Sequence, residues 1–505
     1  MAGWCSDMEN VYEYDDIVVG SGISGMSMAA ILARAGRKVL LLEKQPFIGG
    51  CMRRFVRGGI PFDTGFHFTG GFNGLLTDML SALGIAAEIE PVSLNDAQSN
   101  HIILTKSNRT YDLPSGFEPL KQALYSYFPN EKPAIDAYFK TEIMIEAKTP
   151  FMNLKKLNSM ELLDLMQHID EDDVPLQQYL DSITADKNLQ MVLSGFACCY
   201  GSSPCETSLA THCRVSYGMH ESLARVKNGG DAFIEAFKRQ AKRLNIEIRT
   251  GVTIASIGSR TRRNVTSVML TDGSLCAMQN CIMAIHPHEI LKFLPDGDVH
   301  TETFRQNVIN YEESGSFFSL FAEITGEPPV ALNLTSIISG DSLDSVISNV
   351  PGATAMAALV YPEEINGVKR NVLCAFETEP LAGTELRQYS ANRRADPEYQ
   401  QFKQKRAEDM IRRIVEIYPQ FSGRIKLISI SSALTLKDYL PPYGSAYGIM
   451  HKIGENGLLG RLPYRNFYAI GQNALLPGAV GAMLSAFIVG RFILGQNFLD
   501  KLSNP

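Results

Sequence analysis

The sequence predicts an α/β fold that is built on a parallel sheet and interrupted by a second, α+β domain. A β-branched run, Asp16 to Gly20, leads through glycines into a helix, Ile23 to Arg34, and then into a second strand, Val39 to Leu42. A similar strand, Asn466 to Ile470, precedes a glycine and a C-terminal helix. Between these units the pattern changes twice to other helices and strands, so the chain is expected to leave the first domain and return to it.

At 505 residues the chain is longer than one hydrophobic core normally supports. Amphipathic helices, among them Met160 to His168, dominate from about Asn73 to Cys213, and a strand pair is expected near His101 to Leu113. Helix Asp231 to Leu244 then leads back into sheet strands, and a long helix, Glu398 to Tyr418, indicates a second visit to the other domain. The predicted domains are residues 12–72, 214–300 and 430–505 for the parallel-sheet domain, and residues 73–213 and 301–429 for the inserted domain.

Composition and charge exclude several classes of function. The formal charge of −7 does not supply the basic field that nucleic acids need, so no nucleic-acid partner is expected. The nine cysteines include no Cys-x-x-Cys pair, so reduced thiols and no metal site are predicted. The longest apolar run, Ala479 to Val489, is too short to span a membrane, and Met1 to Tyr14 lacks a secretory or transit pattern. A cytoplasmic location is expected, and peripheral membrane contact stays open.

The motif Gly20-Ser21-Gly22-Ile23-Ser24-Gly25 stands between a strand and a helix, which is the context that dinucleotide binding requires. Gly20 permits the tight turn, Gly22 lets the backbone approach a pyrophosphate, and Gly25 lets the helix pack closely. The N-terminus of the helix then faces the anion. Glu43 ends the second strand, where a carboxylate accepts hydrogen bonds from ribose hydroxyls. Together these residues predict a dinucleotide site.

Further glycine-rich segments extend the prediction from a dinucleotide to a flavin. Gly49-Gly50 and Phe62-Asp63-Thr64-Gly65 would let the backbone run beside a bound cofactor. Gly471-Gln472 and Pro477-Gly478-Ala479-Val480-Gly481 form the second strand-glycine-helix unit. The N-terminus of that helix would face the flavin and stabilise its anionic reduced ring. Non-covalently bound FAD is therefore the expected cofactor.

These motifs resemble those of the phytoene desaturase, carotenoid isomerase and retinol saturase group of flavoproteins, and those of the retinol saturases most of all. The likeness includes the segment Phe62 to His67 and extends to Tyr200 to Pro204, Asn228-Gly229-Gly230 and Tyr443 to Gly448. It implies a discontinuous, Rossmann-like FAD-binding domain of the amine oxidase and phytoene desaturase type, with an inserted substrate domain. It also implies a small lipophilic substrate.

One position departs from the amine-oxidase pattern. Those relatives usually carry Arg after the double glycine, whereas this chain has Cys51, which disfavours amine oxidation. We interpret Cys51 as a small buried residue and not as a covalent flavin anchor. The residues expected at the cofactor are Gly20, Ser21, Gly22, Ile23, Ser24, Gly25, Glu43, Lys44, Gly50, Cys51, Met52, Val252, Gly471, Gln472, Gly478, Val480 and Gly481.

In this family FAD exchanges a hydride, or its equivalent, with carbon atoms of an apolar polyene or isoprenoid. Saturation of a C=C bond also needs a proton at the neighbouring carbon, so a positioned His or Tyr would help. The predicted catalytic residues are His67, Tyr217 and Tyr447, with His67 first because it follows the segment that the resemblance places beside the cofactor. His212 is a further candidate. His286 and His288 fall in a loop that resembles the family's strand exit near FAD, and we interpret them as structural.

Three functions remain open at this point. The first is reduction of a C=C bond in a polyene or retinoid-like lipid, and the second is desaturation or cis-trans isomerisation of a carotenoid or another isoprenoid. The third belongs to another class, a non-redox lipid-binding protein that resembles the Rab GDP-dissociation inhibitors. Because no second GxGxxG in strand-turn-helix context is visible, the electron source is also open: NAD(P)H, a reductase partner and an electron acceptor are the candidates.

Overall fold

A computed structural model describes residues 11–94, 99–295, 297, 299–326, 333–381, 389, 393–455, 458–460 and 462–502. The first ten residues, on which the expectation of a leaderless start partly rests, lie outside the described residues. The helices are α1 (Ile23–Arg34), α2 (Leu75–Leu83), α3 (Phe117–Tyr127), α4 (Lys132–Ala147), α5 (Leu154–Ser159), α6 (Leu162–Leu165), α7 (Leu176–Ile183), α8 (Lys187–Leu193), α9 (Leu209–Glu221), α10 (Asp231–Arg243), α11 (Pro287–Leu291), α12 (Val299–Asn310), α13 (Leu343–Ile347), α14 (Pro397–Ile417), α15 (Ala433–Tyr439), α16 (Gly478–Leu494) and α17 (Phe498–Leu502).

The strands alternate with these helices along most of the chain. They are β1 (Val11–Glu13), β2 (Asp16–Val19), β3 (Val39–Glu43), β4 (Arg54–Arg57), β5 (Ile60–Asp63), β6 (Pro91–Ser93), β7 (Asn100–Leu104), β8 (Arg109–Leu113), β9 (Ala224–Val226), β10 (Glu247–Thr250), β11 (Ile254–Ile257), β12 (Ser267–Leu270), β13 (Leu275–Ala277), β14 (Asn280–Met283), β15 (Ser316–Ile324), β16 (Asn333–Ser339), β17 (Thr354–Ile365), β18 (Val368–Glu379), β19 (Ile425–Ser431) and β20 (Phe467–Ala469).

A five-stranded parallel sheet, in the order β10-β3-β2-β14-β20, forms the centre of the first domain. Its inner strands are apolar on both faces because helices or other chain segments cover both sides, as is usual for parallel sheets. Helices α1 and α16 pack together over one face, where Gly490 lets α16 approach Ile31 closely. The predicted parallel α/β unit, assembled from distant parts of the chain, is thus confirmed.

A seven-stranded mixed sheet, in the order β19-β15-β18-β17-β16-β7-β8, forms the second main layer. Side chains alternate between its two faces, as they do along every strand. On β15 the even-numbered residues Phe318 and Leu320 pack with helix α14, whereas the odd-numbered Phe317 and Phe321 face the opposite side. This opposite face forms one wall of the large cavity described below.

Two smaller features differ from, or go beyond, the expectations. The helix predicted from Met160 to His168 is too long, because the structure has only the short α6 in this range. A second helix that was not predicted, α5, precedes it and is capped by the Asn153 side chain. The core also crosses the predicted domain boundaries, because Phe304 and Val308 of α12 pack beneath the parallel sheet. The domain limits themselves stay a proposal.

Candidate functional site

The first glycine loop is shaped by contacts that only glycine permits. Gly20 follows β2 with φ of +96°, and a Cβ there would lie 2.6 Å from the carbonyl oxygen of Ala284. A Cβ on Gly25 would lie 1.8 Å from the oxygen of Gly20, so α1 packs directly on the turn. A Cβ on Gly22, in contrast, would meet no atom of the described residues within 4 Å. Gly22 therefore faces open space at the N-terminus of α1.

Glu43 is held beside this loop at the end of β3. Its Oε2 accepts hydrogen bonds from the backbone N of Ser21 at 3.0 Å and from Ser21 Oγ at 2.5 Å, and its Oε1 accepts one from Gln45 N at 2.8 Å. Gly49 N donates to Ser21 Oγ at 3.2 Å, which ties the double-glycine segment to the same loop. The carboxylate is thus fixed next to the helix N-terminus, where a ribose would lie if a pyrophosphate occupied the Gly22 position.

The second glycine loop comes from the other end of the chain and touches the first. Gly471 follows β20 with φ of +106°, and a Cβ there would lie 3.3 Å from Ser24 Oγ. Its backbone N donates to Ser485 Oγ of α16 at 2.7 Å. The turns at Gly20 and Gly471 therefore lie on the same side of the molecule, as the sequence analysis requires.

Both loops open into one cavity of about 1110 Å³. Its walls continue from the glycine loops to the face of the seven-stranded sheet that carries Phe317, Phe321 and Phe376. Pockets for one small molecule usually lie between about 300 and 1,000 Å³, so this cavity is larger than a typical single-ligand pocket. The predicted site residues that line it are Gly20, Ser21, Gly22, Ile23, Ser24, Glu43, Lys44, Gly50, Cys51, Met52, His67, Tyr217, Tyr447, Gly471, Gln472, Gly478, Val480 and Gly481.

Two predicted cofactor residues do not line the cavity. Gly25 lies behind the loop, against Gly20, where its role is helix packing. Val252 supports the site through its backbone, because its N donates to the carbonyl oxygen of Glu43 at 3.0 Å, while its neighbours Thr253 and Ile254 line the wall.

His67 lies in the cavity wall and stacks on Phe376, with 4.5 Å between ring centroids and 20° between ring planes. Its Nδ1 is buried and has no hydrogen-bond partner among the described residues. Burial, with a smaller contribution from the charge of Arg225, lowers the pKa of His67 to about 3. The imidazole is therefore neutral at neutral pH, which disfavours a role as a cationic proton donor.

Tyr447 joins the same aromatic wall. Its ring lies 6.1 Å from that of Phe317, which in turn lies 5.6 Å from Phe376. Its backbone N donates to Ser314 Oγ at 3.1 Å. Burial raises the pKa of the Tyr447 phenol well above its usual value, so the hydroxyl keeps its proton throughout the physiological range.

Tyr217 lines the cavity from helix α9 and packs against Phe117, with 4.9 Å between ring centroids. Burial raises the pKa of its phenol, and Glu146 and Glu221 add to the shift. His212, on the same helix, is buried in the helical core, where its ring nitrogens contact the hydroxyls of Tyr138 at 2.8 Å and Tyr200 at 2.9 Å. The sequence-based candidacy of His212 was therefore wrong, and its role is structural.

Cys51 is the second correction. It is exposed to the cavity and is not the packed core residue that the sequence suggested. Since its surface faces the cavity and not bulk water, burial still raises the pKa of the thiol to about 11. A Cβ on Gly65 would lie 3.2 Å from that of Cys51, so the close packing of these two segments favours a glycine at position 65.

A buried ionic network, which the sequence analysis missed, supports the segment that leads to His67. Arg225 donates to Asp63 at 2.8 Å, Arg54 donates to Glu363 at 2.8 Å, and Arg54 also pairs with Asp231 at 3.2 Å. Glu363 lies on β17 of the seven-stranded sheet, so the network fixes the Asp63-to-His67 segment between the glycine loops and that sheet. Long-range pairing of this kind leaves no local signal in a sequence.

Comparisons with known proteins agree with this geometry. The model of the family described as flavin containing amine oxidoreductase matches residues 23–380. The all-trans-retinol 13,14-reductases of Homo sapiens and Danio rerio are 22% and 24% identical to this chain, over 97% and 96% of it and over 87% and 86% of their own lengths. A chloroplastic prolycopene isomerase of Daucus carota is 35% identical over 31% of this chain and 24% of its own length.

Solved structures show the same fold at low sequence identity. An oxidoreductase from Methanosarcina mazei has a TM-score of 0.63 and 15% identity, and the match covers 94% of this chain and 99% of that one. Putrescine oxidase bound to putrescine has a TM-score of 0.61 and 14% identity, over 96% of this chain and 99% of that one. The predicted Rossmann-like α/β fold with an α+β domain is confirmed, and so is the resemblance to retinol saturases and carotenoid isomerases.

Proposed function

Since the chain belongs to the flavin-containing amine oxidoreductase family and is a FAD-dependent oxidoreductase, we propose that it reduces a carbon–carbon double bond of a lipophilic polyene. The observation that carries the proposal is the single cavity that joins the two glycine loops to the apolar face of the seven-stranded sheet. A polyene needs an extended apolar wall, and Phe317, Phe321 and Phe376 provide one. The all-trans-retinol 13,14-reductases among the relatives support saturation as the reaction.

The described residues fit FAD at the glycine loops. The open space at Gly22 leaves room for a pyrophosphate against the N-terminus of α1, and Glu43 lies where it would accept hydrogen bonds from the adenosine ribose. The turn at Gly471 and the N-terminus of α16 would face the isoalloxazine ring. When bound, FAD supplies the hydride chemistry that no side chain of the protein can perform.

The side chains of the cavity would then orient the substrate, exclude water and supply a proton. In our proposal Tyr447 is the proton donor, because its buried phenol is protonated at neutral pH and lies on the aromatic wall. His67, neutral and stacked on Phe376, would orient the substrate or the cofactor through a hydrogen bond. Tyr217 lines another part of the cavity and would shape the bound chain.

The test is an anaerobic turnover assay with the purified flavoprotein. The flavin is first reduced chemically, and all-trans-retinol or another polyene is then added. The products are separated by chromatography, and their masses are measured by mass spectrometry. A product two hydrogens heavier, formed with reoxidation of the flavin, supports the proposal. A flavin that stays reduced in the presence of every polyene of the panel would contradict it. NAD(P)H in place of the chemical reductant tests that donor in the same assay.

A second reaction, cis-trans isomerisation, is favoured by one observation, the 35% identity to a prolycopene isomerase over part of the chain. Isomerisation changes neither the mass of the substrate nor the net redox state of the flavin. Prolycopene in the same assay distinguishes the two reactions, because an isomer of unchanged mass supports the second. A product two hydrogens lighter, obtained with oxidised flavin, would indicate desaturation.

We also propose peripheral contact with an anionic lipid bilayer through exposed residues of the cavity wall. Val56 and Tyr439 line the cavity and are nevertheless 63% and 59% exposed, and the exposed cations Arg57 and Lys437 are close to them in the sequence. A lipophilic substrate could pass from a bilayer through this apolar rim, while the cations contact lipid headgroups. Among the described residues no helix combines the length and apolarity that a bilayer crossing requires.

Vesicle sedimentation tests this contact. The flavoprotein should sediment with vesicles that contain phosphatidylserine and less with neutral phosphatidylcholine vesicles. The double variant Arg57→Ser/Lys437→Ser should remove this difference, while a matched double variant at exposed cations elsewhere, Lys155→Ser/Lys156→Ser, should leave it unchanged. Equal sedimentation of wild type and Arg57→Ser/Lys437→Ser would overturn the proposed surface.

A further inference from the structure

Three metal-ligating side chains meet at the edge of the cavity, directly after the Ala284-Ile285 segment that packs against Gly20. His286 and His288 follow β14, and Glu313 precedes β15. His286 Nε2 lies 2.9 Å from Glu313 Oε1, His288 Nδ1 lies 3.9 Å from the same oxygen, and the three ligand atoms all lie within 4.8 Å of one another. The side chains are 11%, 16% and 6% exposed, so the cluster is largely shielded from bulk water.

Two of these atoms are buried without an aligned hydrogen bond among the described residues. His288 Nδ1 has none, and Glu313 Oε1 has none because His286 Nε2, although 2.9 Å away, bonds the other carboxylate oxygen, Oε2, at 3.2 Å. His288 Nδ1 and Glu313 Oε1 face each other. The separation of 3.9 Å is too long for a hydrogen bond between them. Buried polar atoms are rarely left unsatisfied, and an ion is one of the established explanations when they are. A cation between the two atoms would satisfy both.

We propose that His286, His288 and Glu313 form a binding site for a divalent transition metal ion, with Zn²⁺ as the principal candidate. Two imidazoles and a carboxylate are typical zinc ligands, and three protein ligands leave one coordination position open. Bonds of about 2.1 Å to a tetrahedral ion place ligand atoms about 3.4 Å apart, and the observed 2.9 and 3.9 Å lie on either side of this value.

The residues around the three ligands are compatible with a metal site, and metal binding would require the loss of one existing hydrogen bond. Ser445 Oγ donates to Glu313 Oε2 at 2.6 Å, which orients the carboxylate as outer-shell partners do in metal sites. The ring of Tyr443 lies 5.3 Å from that of His288 and covers the cluster on one side. His286 Nδ1 accepts a long, 3.3 Å hydrogen bond from His288 N. A neutral imidazole that binds a metal through Nε2 carries its proton on Nδ1, so metal binding would break this hydrogen bond.

The ion would hold the segment that carries Tyr447. Glu313 bonds Ser445, and its neighbour Ser314 donates its backbone N to Gly448 O at 2.8 Å and accepts from Tyr447 N at 3.1 Å. A metal on Glu313 would therefore fix residues 445–448 against the exit of β14. The role is structural, and it does not depend on the reaction that FAD performs.

The experiment measures metal content and flavin content separately on the purified flavoprotein. The protein is stripped with a chelator, loaded with Zn²⁺, passed through a desalting column and analysed by elemental mass spectrometry. Wild type should retain one equivalent of Zn²⁺ per chain. Glu313→Gln and His288→Asn should each retain less than a tenth of that amount, and Ser445→Ala should bind Zn²⁺ roughly tenfold more weakly. Titration with Co²⁺ should give the absorption of a tetrahedral site in wild type alone.

The matched control is His168→Asn, because His168 is an exposed histidine that also pairs with two carboxylates, Asp172 and Asp173. It should retain the full equivalent of Zn²⁺. Absence of retained Zn²⁺ in wild type, or equal retention in Glu313→Gln, His288→Asn and wild type, would overturn the metal site. A loss shared by His168→Asn would indicate adventitious surface binding and would overturn it too. Unchanged flavin content in the variants shows that they fold, so the outcome is independent of the proposed polyene reaction.

Discussion

Replacement of Gly22 by Ala separates cofactor binding from folding. The backbone at Gly22 has φ of −63° and ψ of 179°, which alanine adopts without strain, and within the described part of the chain no atom lies within 4 Å of the added methyl group. The folded protein without FAD should therefore be as stable as wild type, or about 0.4–1 kcal/mol more stable, because alanine restricts the unfolded chain. The methyl can therefore displace a group that enters the cavity at the N-terminus of α1.

The same methyl group should weaken FAD binding strongly. Hydrogen bonds from backbone N–H groups to a charged acceptor contribute about 1.5–3 kcal/mol each, and a displaced pyrophosphate would lose one or two of them. A loss of about 3 kcal/mol corresponds to a roughly hundredfold weaker Kd. Titration of the deflavinated protein with FAD, followed by flavin fluorescence, measures this change, and urea unfolding of the same preparation measures stability.

Two controls make the experiment decisive. Gly195→Ala adds a methyl elsewhere in the cavity wall, 3.9 Å from Ile102 Cδ1, and should leave FAD affinity unchanged. Gly25→Ala forces a Cβ to within 1.8 Å of the Gly20 oxygen and should destabilise the fold itself. If folded Gly22→Ala binds FAD as tightly as wild type, the pyrophosphate does not lie at the first glycine loop and the site assignment fails.

Three further predictions concern His67, Tyr447 and Gly471. The pKa of His67 is about 3 in the folded protein and near 6.5 when unfolded, so only the unfolded chain gains a proton as the pH falls. Between pH 7.5 and 5.5, the unfolding free energy of wild type should fall by about 1.4 kcal/mol more than that of His67→Phe. An equal fall for both proteins, measured by urea unfolding at the two pH values, would refute the burial of His67. Tyr447→Phe should lower the rate of polyene reduction by roughly 10²- to 10⁴-fold without a change in FAD affinity, and a rate above half that of wild type would exclude Tyr447 as the proton donor. Gly471→Ala imposes φ of +106° on a residue with a side chain and crowds Ser24 Oγ, so the free energy of unfolding in urea should fall by about 1–3 kcal/mol. An unchanged urea midpoint would mean that the loop relaxes away from the first glycine turn.

Local signals explain the parts of the fold that the sequence predicts well. The glycine positions around α1 are recognisable because strand end, turn and helix start follow one another within a few residues. Helix α14 begins after Asp396, whose side chain accepts hydrogen bonds from the backbone N of Glu398 and Tyr399. The Asp-Pro pair at positions 396 and 397 is therefore a local sequence signal for the start of the helix. The helix predicted from Met160 to His168 was too long because it followed apolar spacing, although Leu163 is 90% exposed. The cap residue Asn153 was the signal for the missed helix α5.

The candidate site also has one part that local sequence signals predict and another part that they do not. The two glycine loops could be predicted because each carries its own turn chemistry, and the structure brings them together. The aromatic wall could not be predicted. The alternation of side chains along β15 and β18 assigns Phe317 and Phe376 to one face of the sheet, but it does not indicate which face lines the cavity. Cys51 and His212 were misassigned for the same reason, since burial and cavity exposure depend on segments that are distant in the chain.

The late position of β20 and α16 in the chain has a consequence for how the protein is made. Translation delivers β2, β3, β10 and β14 first, and the strand and helix that complete the cofactor cavity emerge only after both excursions into the seven-stranded sheet. A partly synthesised chain thus exposes an unfinished sheet edge at β14 and cannot retain flavin. We therefore expect flavin to be retained only after the segment from Phe467 onward has been synthesised.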